Sequence, residues 1–372
     1  MPYNKALTRA QTAIDAMLKY TGTDIPHVSE GYSYQKGFYD KVLWTAGFWP
    51  GMLWLMYKYT GKSQYADKAR ETGQVLAEFL ARTGPHSGHD LGFQFFLSAK
   101  AEYDYTGNEQ AKALGIQAAE ALAQRYVENG GYIRAWGALD TDEQEGIIIV
   151  DCLLNLPLLF WASTVTKSKR YYNIAFNHAL ISLQHLMRED GTVYHTFKFD
   201  PQTGQPVAPG THQGHATDST WARGQAWAIY GFALAYKHTR DERFLQASKR
   251  AVEAYYRLLN EDEVIPPWDF DRPQGTKTVK DTSAASITAS GLLELAAFVE
   301  DQEKAELKER ARVILTELEN HYACDPSLGQ EGLLTEGCYH YPANKGAQEC
   351  TSWGDYFYLE AMLKDQEGIS IY

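Results

Sequence analysis

The chain has no cysteine pair at C-x-x-C spacing: its four cysteines, Cys152, Cys324, Cys338 and Cys350, are too scattered for a zinc ribbon or a dithiol redox motif. It has no apolar run long enough to span a bilayer. The longest, Gly146 to Ala162 (GIIIVDCLLNLPLLFWA), is short and carries Asp151, Asn155 and Pro157, so it reads as a buried core helix with no membrane partner. The first residues, MPYNKALTRAQTAIDAML, follow an amphipathic pattern without a continuous apolar segment, and a reduced, cytoplasmic protein is expected. Positive charge is scarce. Against 35 Lys and Arg stand 47 Asp and Glu, a net charge of −12, and nucleic acid is excluded as a partner because most of the surface would repel phosphate. No P-loop, no G-x-S-x-G elbow and no dinucleotide fingerprint occurs, which removes support for nucleotide, serine-hydrolase and dehydrogenase chemistry and implies no cofactor. No linker composition divides the 372 residues, so residues 1–372 are expected to form a single domain.

What is abundant is apolar and aromatic surface, with 44% hydrophobic residues, 25 Tyr and 9 Trp, enough for a large core. Internal similarity organises it. The phrases YTGKSQYADKA from Tyr59, YTGNEQAKALG from Tyr105, VTKSKRYYNIA from Val165 and HTRDERFLQAS from His238 each end one helical pattern at a Thr and open another. Before each phrase the pattern is apolar almost all round, as in FWPGMLWLMYKY or ARGQAWAIYGFALAYKH; after it the pattern is one-sided, as in SQYADKARETGQVLAEFLART. Ala284 to Glu300 and Trp353 to Lys364 bring the all-round segments to six, and one-sided segments precede each, near residues 4–20, 63–82, 108–127, 168–188, 241–260 and 302–321. Six inner helices inside six outer ones need no sheet. The expected fold is all-α, a six-hairpin α/α toroid or (α/α)6 barrel, with an open solenoid as the alternative of equal periodicity.

In such a ring the N-terminal ends of the inner helices share one rim. The segments entering it end at Trp44, Asp90, Asp151, Trp221, Ala284 and Trp353 and are rich in His, Trp, Arg, Gly and carboxylates. Helix N-termini suit an anionic ligand, and Trp44, Trp49, Trp136, Trp221, Trp227, Trp268 and Trp353, all in or near these segments, suit sugar rings. Asp151, among apolar neighbours in IIIVDCLL, is expected to be desolvated and to hold its proton as a general acid; as a helix N-cap it would instead be held ionised. Asp90 in SGHDLGFQF has the same relation to its own helix, so two carboxylates are positioned to face each other. Between Tyr194 and Trp227 the chain crowds His195, His212, Gln213, His215, Asp218 and Arg223, but the H-x-x-H of His212 and His215 lacks a third ligand and no metal site is expected.

The blocks IPHVSEG at Ile25, WTAGFWPGMLW at Trp44, HDLGF at His89, LSAKA at Leu97, AWG at Ala135, IIIVDCLLNLPLLFWA at Ile147, YHTFKFDPQTG at Tyr194, THQGHATDSTWARGQAWAIYGFAL at Thr211, DTSAASITASGLLE at Asp281 and SWGDYFYLEAML at Ser352 cover nearly the whole chain. In these the sequence resembles the unsaturated glucuronyl hydrolases of glycoside hydrolase family 88. The resemblance implies a six-hairpin toroid that releases a 4,5-unsaturated uronic acid from the non-reducing end of lyase-generated, glycosaminoglycan-type disaccharides. Acid would protonate C4 of the vinyl ether, water would add at C5, and the hemiketal would open and expel the rest of the chain. By the same resemblance Asp151 matches the general acid and base, Asp90 its partner carboxylate, and His195 and Gln213 residues near the attacking water. Arg223 matches the cation for the uronate carboxylate, Trp44, Trp136 and Trp227 match stacking positions, and His89, His212 and Lys345 complete the substrate-binding set.

The related unsaturated rhamnogalacturonyl hydrolases, acting on pectin fragments, are the nearest alternative, and HDLGF and THQGH favour the glucuronyl group. A non-catalytic sugar-binding toroid would lack one of the carboxylates. A small unsaturated oligosaccharide is the expected partner, and the chain is expected to be a monomer or weak homodimer. Relatives that accept sulfated disaccharides resemble one another in a Ser-x-x-Ser-x-Lys segment; here His340-Tyr341-Pro342-Ala343-Asn344-Lys345 keeps only the lysine. That departure implies a preference for unsulfated substrate, with His340 as a substitute donor and sulfate tolerance rising at mildly acidic pH.

Overall fold

The computed structural model describes residues 3–21, 24–37, 43–141, 144–272 and 278–372. The one-sided segments are the outer helices α1 (Asn4–Met17), α3 (Ser63–Thr83), α5 (Glu109–Ala123), α7 (Lys169–His185), α9 (Glu242–Leu258) and α11 (Asp301–Glu317). The all-round apolar segments are the inner helices α2 (Phe48–Thr60), α4, α6 (Leu156–Thr166), α8 (Ala222–Thr239), α10 (Thr282–Leu295) and α12 (Ser352–Glu367). Helix α4 runs from Leu91–Phe95 through a π-helical turn, Phe96–Lys100, into Ala101–Thr106. Burial follows the pattern: every residue of α10 is buried, whereas α9 buries one stripe that includes Phe244, Ala251 and Tyr255.

The inner helices touch in chain order, and α12 then packs on α2, so the ring is closed and the solenoid alternative is excluded. At the seam the Trp44 and Trp353 ring centroids lie 5.0 Å apart. Outside them Arg9 of α1 pairs with Glu319 beyond α11, and the Tyr358 hydroxyl donates to the same carboxylate at 2.7 Å.

The recurrent Thr has a structural cause. Thr60, Thr106, Thr166 and Thr239 each donate a hydroxyl hydrogen bond to the carbonyl four residues back, at 2.6 to 2.7 Å, and accept the N–H two residues on, at 3.2 to 3.3 Å. The residue between, Gly61, Gly107, Lys167 or Arg240, takes a left-handed conformation that ends the inner helix. One side chain thus satisfies groups from two helices and fixes four hairpins alike.

Three small sheets were not expected. They are β1 (Tyr126–Val127) with β2 (Tyr132–Ile133), then β3 (Ile147–Ile149), β4 (Thr196–Phe199) and β5 (Pro206–Gly210) in that order, and β6 (Gly337–His340) with β7 (Lys345–Glu349), all antiparallel. The stretch from Gly146 to Ala162 is therefore not one helix: three consecutive β-branched isoleucines pair as β3, a 3-10 turn follows at Val150–Leu154, and α6 starts only at Leu156. The sheets lie in the long connections entering the helix N-termini. At the other end of the ring the last residues turn inward, where Tyr372 stacks on Phe96 at 5.1 Å and its hydroxyl reaches the Leu154 carbonyl at 3.3 Å.

Candidate active site

Asp151 sits in the first turn of the Val150–Leu154 segment and Asp90 immediately before α4, and neither caps its own helix. The N-cap alternative for Asp151 is thereby removed. Its Oδ1 is buried and has no hydrogen-bond partner among the described residues. Burial pushes the Asp151 carboxyl up to about 7, the charge of Asp90 adding to the rise and Arg223 opposing it. Burial likewise raises Asp90 to about 7 against the pull of Arg125 and a hydrogen bond with Asn155. Asp151 thus lies within the field of Asp90.

The pair is brought together by a close approach of backbones. A Cβ on Gly92 would collide with the backbone of Asn155, so only glycine lets the start of α4 seat against the turn that carries Asp151. The buried His89 has its Nε2 3.6 Å from Asp90 Oδ1, and burial lowers its pKa to about 3, so the ring is neutral.

Strand pairing places His195. Ile149 of β3 faces Thr196 of β4, so the preceding His195 lies opposite Val150, whose N–H donates to the His195 carbonyl at 3.1 Å. The His195 Nδ1 accepts the backbone N–H groups of His212 and Gln213 at 3.0 and 3.2 Å. Two backbone donors on one nitrogen assign it as the acceptor, so the neutral ring carries its proton on Nε2. Burial, with the charge of His212 and Arg223, holds the ring well below its ordinary pKa. In this form His195 donates through Nε2 and cannot take a proton there. Gln213 donates from Nε2 to the Tyr339 carbonyl at 2.8 Å, which ties its loop to β6.

The loop that follows is held from below by Asp269, which accepts the His215 N–H at 2.8 Å and the Ser219 hydroxyl at 2.7 Å. His215 thereby turns toward Trp268, while His212 stands exposed between Trp136 at 5.2 Å and His340 at 4.7 Å. Lys345 is exposed at the start of β7, and its charge acts on both His212 and His340.

Two of the expected substrate-binding residues lie deep in the protein. Arg223 is fully buried, pairs with Asp281 at 3.0 Å and donates to the carbonyls of Cys338 and Tyr339, while its Nε has no hydrogen-bond partner among the described residues. Its guanidinium carbon lies 4.4 Å from the Trp221 ring centroid and 5.2 Å from that of Trp353. Trp227 is wholly buried, its ring 5.3 Å from Phe93 and 5.5 Å from Phe357. Of the seven rim tryptophans only Trp44 and Trp136 keep partial exposure.

Sequence reasoning missed Asp281, Arg125 and Asn155. Asp281 caps α10 by accepting from Ser283 and Ala284, a role legible in the Asp-Thr-Ser start of that helix. Arg125 is buried with no carboxylate bonded to it; it donates to the carbonyls of Pro85, Arg134, Ala135, Trp136 and Gly137 and so holds the loop bearing Trp136 beside Asp90. No local signal marks it.

Residues 13–295 match the profile of Glycosyl Hydrolase Family 88. An unsaturated glucuronyl hydrolase of Bacillus sp. (strain GL1) is 42% identical over 95% of this chain and 94% of its own length. The chain belongs to glycosyl hydrolase family 88. The crystal structure of the Bacillus sp. GL1 unsaturated glucuronyl hydrolase superposes with a TM-score of 0.95 at 40% identity, covering 99% of this chain and 97% of that one. A Streptococcus agalactiae unsaturated glucuronyl hydrolase variant complexed with dGlcA-GalNAc6S gives a TM-score of 0.85 at 31% identity, covering 98% and 92%. In this family 88 glycoside hydrolase the α/α toroid therefore agrees with its solved relatives as well as with its own periodicity.

Proposed function

We propose that the chain is an unsaturated glucuronyl hydrolase that releases the 4,5-unsaturated uronic acid from lyase-generated glycosaminoglycan disaccharides. The observation that carries the reading is the buried Asp151 carboxyl with an unpartnered Oδ1, raised to about 7 beside Asp90. A carboxyl that keeps its proton near neutrality is matched to protonating C4 of a vinyl ether. Its conjugate base then takes the proton of the water adding at C5, and the hemiketal opens without displacement at the anomeric carbon. Asp90, ionised, anchors ring hydroxyls and secures the proton on its neighbour. His195 offers Nε2–H to the water oxygen, with Gln213 beside it, while Trp44, Trp136 and His212 contact the sugars and Lys345 reaches the second residue. The absence of a linker composition across residues 1–372 supports a single catalytic domain, taken here as a monomer or weak homodimer. Four buried thiols without a disulfide support a reducing, cytoplasmic setting.

The direct assay follows the ultraviolet absorbance of the C4=C5 bond. Loss on unsaturated chondroitin or hyaluronate disaccharides is expected; loss confined to unsaturated rhamnogalacturonan disaccharides would transfer the enzyme to the pectin-directed group, and no loss on either would leave a sugar-binding toroid. Turnover in heavy water is expected to place deuterium at C4, and labelled water to deliver its oxygen to C5. Label at C1 of the uronate product would instead indicate ordinary two-carboxylate glycoside hydrolysis.

A preference for unsulfated substrate follows from the β6–β7 turn, where His340 and Ala343 stand at the positions of the two serines before Lys345. The expected pH effect is revised. Burial, with His212, Arg223 and Lys345, lowers the free protein's His340 to about 4, so mild acid leaves it neutral and no rise in sulfate tolerance is expected between pH 5 and 6. The kcat/KM values for matched disaccharides, in wild type and Lys345→Ala, test this; a roughly tenfold preference for the sulfated partner, about 1.4 kcal/mol, would overturn it.

A further inference from the structure

Cys324 and Cys350 are 26 residues apart in the chain, yet their Sγ atoms lie 3.4 Å from each other in a buried contact where either thiol can donate. The two residues are 2% and 0% exposed, and both are free thiols. Backbone holds the contact from each side. Cys324 follows the π-helical turn beyond α11, and its N–H donates to the Leu333 carbonyl at 3.0 Å beside the bridge between Ala323 and Leu334. Cys350 joins β7 to Thr351, the N-cap of α12. Its N–H donates to the Ser29 hydroxyl at 2.8 Å, and its carbonyl accepts the Ser29 N–H at 3.0 Å. Gly332 lies directly over the sulfur, where a Cβ would stand 2.7 Å from Cys350 Sγ.

Sulfurs already in contact reach the bonding distance of about 2.0 Å by a small adjustment of their side chains. We infer that Cys324 and Cys350 are a reversible cross-link site, closed into a disulfide by exchange with a small-molecule disulfide and reopened by a dithiol. The exchange balances in two steps. The thiolate of one cysteine attacks a sulfur of the small disulfide, which forms a mixed disulfide and releases one small thiol. The thiolate of the other then attacks the protein sulfur of that bond, which forms the link between Cys324 and Cys350 and releases the second small thiol. The protein thiols give up two protons and two electrons, and the small disulfide takes them.

Contact with Cys350 and burial raise the Cys324 thiol above its ordinary range, so it rests protonated. Exchange therefore waits on local opening of the 325–333 turn, which carries the exposed Leu328. The loop closed by the link contains β6 and β7, whereas Asp90 and Asp151 lie outside it. The cross-link thus staples the connection from α11 to α12 at its base and restricts the unfolded chain.

The test exposes the full chain to oxidised glutathione at pH 8, just below the midpoint of unfolding, with dithiothreitol as the reduced reference. Intact mass, a peptide map and melting curves are read. The expected product has lost two hydrogens, carries no glutathione and joins the Cys324 and Cys350 peptides, while Cys152 and Cys338 stay free. It is expected to melt at least about 3 °C above the reduced protein, and dithiothreitol to reverse the gain. Cys324→Ser is expected to show neither the link nor the gain. Four free thiols after exposure, glutathione adducts without the link, or a link that leaves the melting temperature unchanged or lowered would each overturn the inference. The wild-type peptide map decides the chemistry even where Cys324→Ser fails to fold.

Discussion

Asp151→Asn is expected to lower turnover of an unsaturated disaccharide by about 10²–10⁴-fold while leaving substrate affinity within a few-fold. The amide fills the same space but carries no transferable proton, so binding through the rim survives and the chemical step does not. The pH dependence carries the same signature in wild type. Asp151 acts in its protonated form, raised by burial to about 7, so kcat/KM is expected to decline as pH climbs through that value. Stability changes in the same direction. A carboxyl whose folded-state pKa lies above its ordinary value contributes stability that is present at low pH and lost as pH rises through the folded value, here about 7. Asp151→Asn is therefore expected to melt above wild type at pH 8, where the wild-type pair is forced to ionise in a buried site. Calorimetry at pH 5 and pH 8 with kinetics at both values checks the two effects together. A variant keeping half the wild-type rate would take Asp151 out of the mechanism.

The helices were legible because an all-round apolar pattern and a one-sided one differ in physics that is local. The 241–260 segment became α9, Glu242–Leu258, since a helix with one charged face has only one way to lie against a core. The Thr-ended turns were legible as breaks, though not their cause, since the double role of the Thr hydroxyl needs both helices in place. The isoleucines before Asp151 were read as helix because a short apolar run has no period of its own; what made them a strand was β4, which begins 47 residues after β3 ends. Side-chain roles were harder for the same reason. Nothing in the local sequence separates Trp44, which keeps an open face, from Trp227, which Phe93 and Phe357 enclose. Asp90 and Asp151 were recognisable as carboxylates in apolar company, but the bond of Asn155, inside the same apolar run, to the Phe93 N–H appears only when the two segments meet.

Arg223 illustrates the point with the second large effect. A guanidinium beside a sugar site looks like a carboxylate clamp, yet its fork is committed to Asp281, 58 residues away, and to the two carbonyls at the centre of β6. Both partners of this ion pair are wholly buried. Removing one charge leaves the other desolvated and unpaired, so Asp281→Asn is expected to cost about 3–5 kcal/mol of stability. Asparagine caps a helix about as well as aspartate, so the capping of α10 survives and the loss reports the ion pair. Arg223→Lys should also be severe, because an ammonium keeps the charge but cannot serve Asp281, Cys338 and Tyr339 in one plane while lying flat between Trp221 and Trp353. The expected result for both variants is a lowered melting temperature, with kcat and kcat/KM falling together as β6 and its Tyr339 lose their anchor. A substrate clamp predicts a different pattern: wild-type melting, wild-type kcat and a KM raised about tenfold or more, the loss of uniform binding. Melting curves and steady-state kinetics on Arg223→Lys separate the two, and a stable variant with only KM changed would return the guanidinium to the substrate.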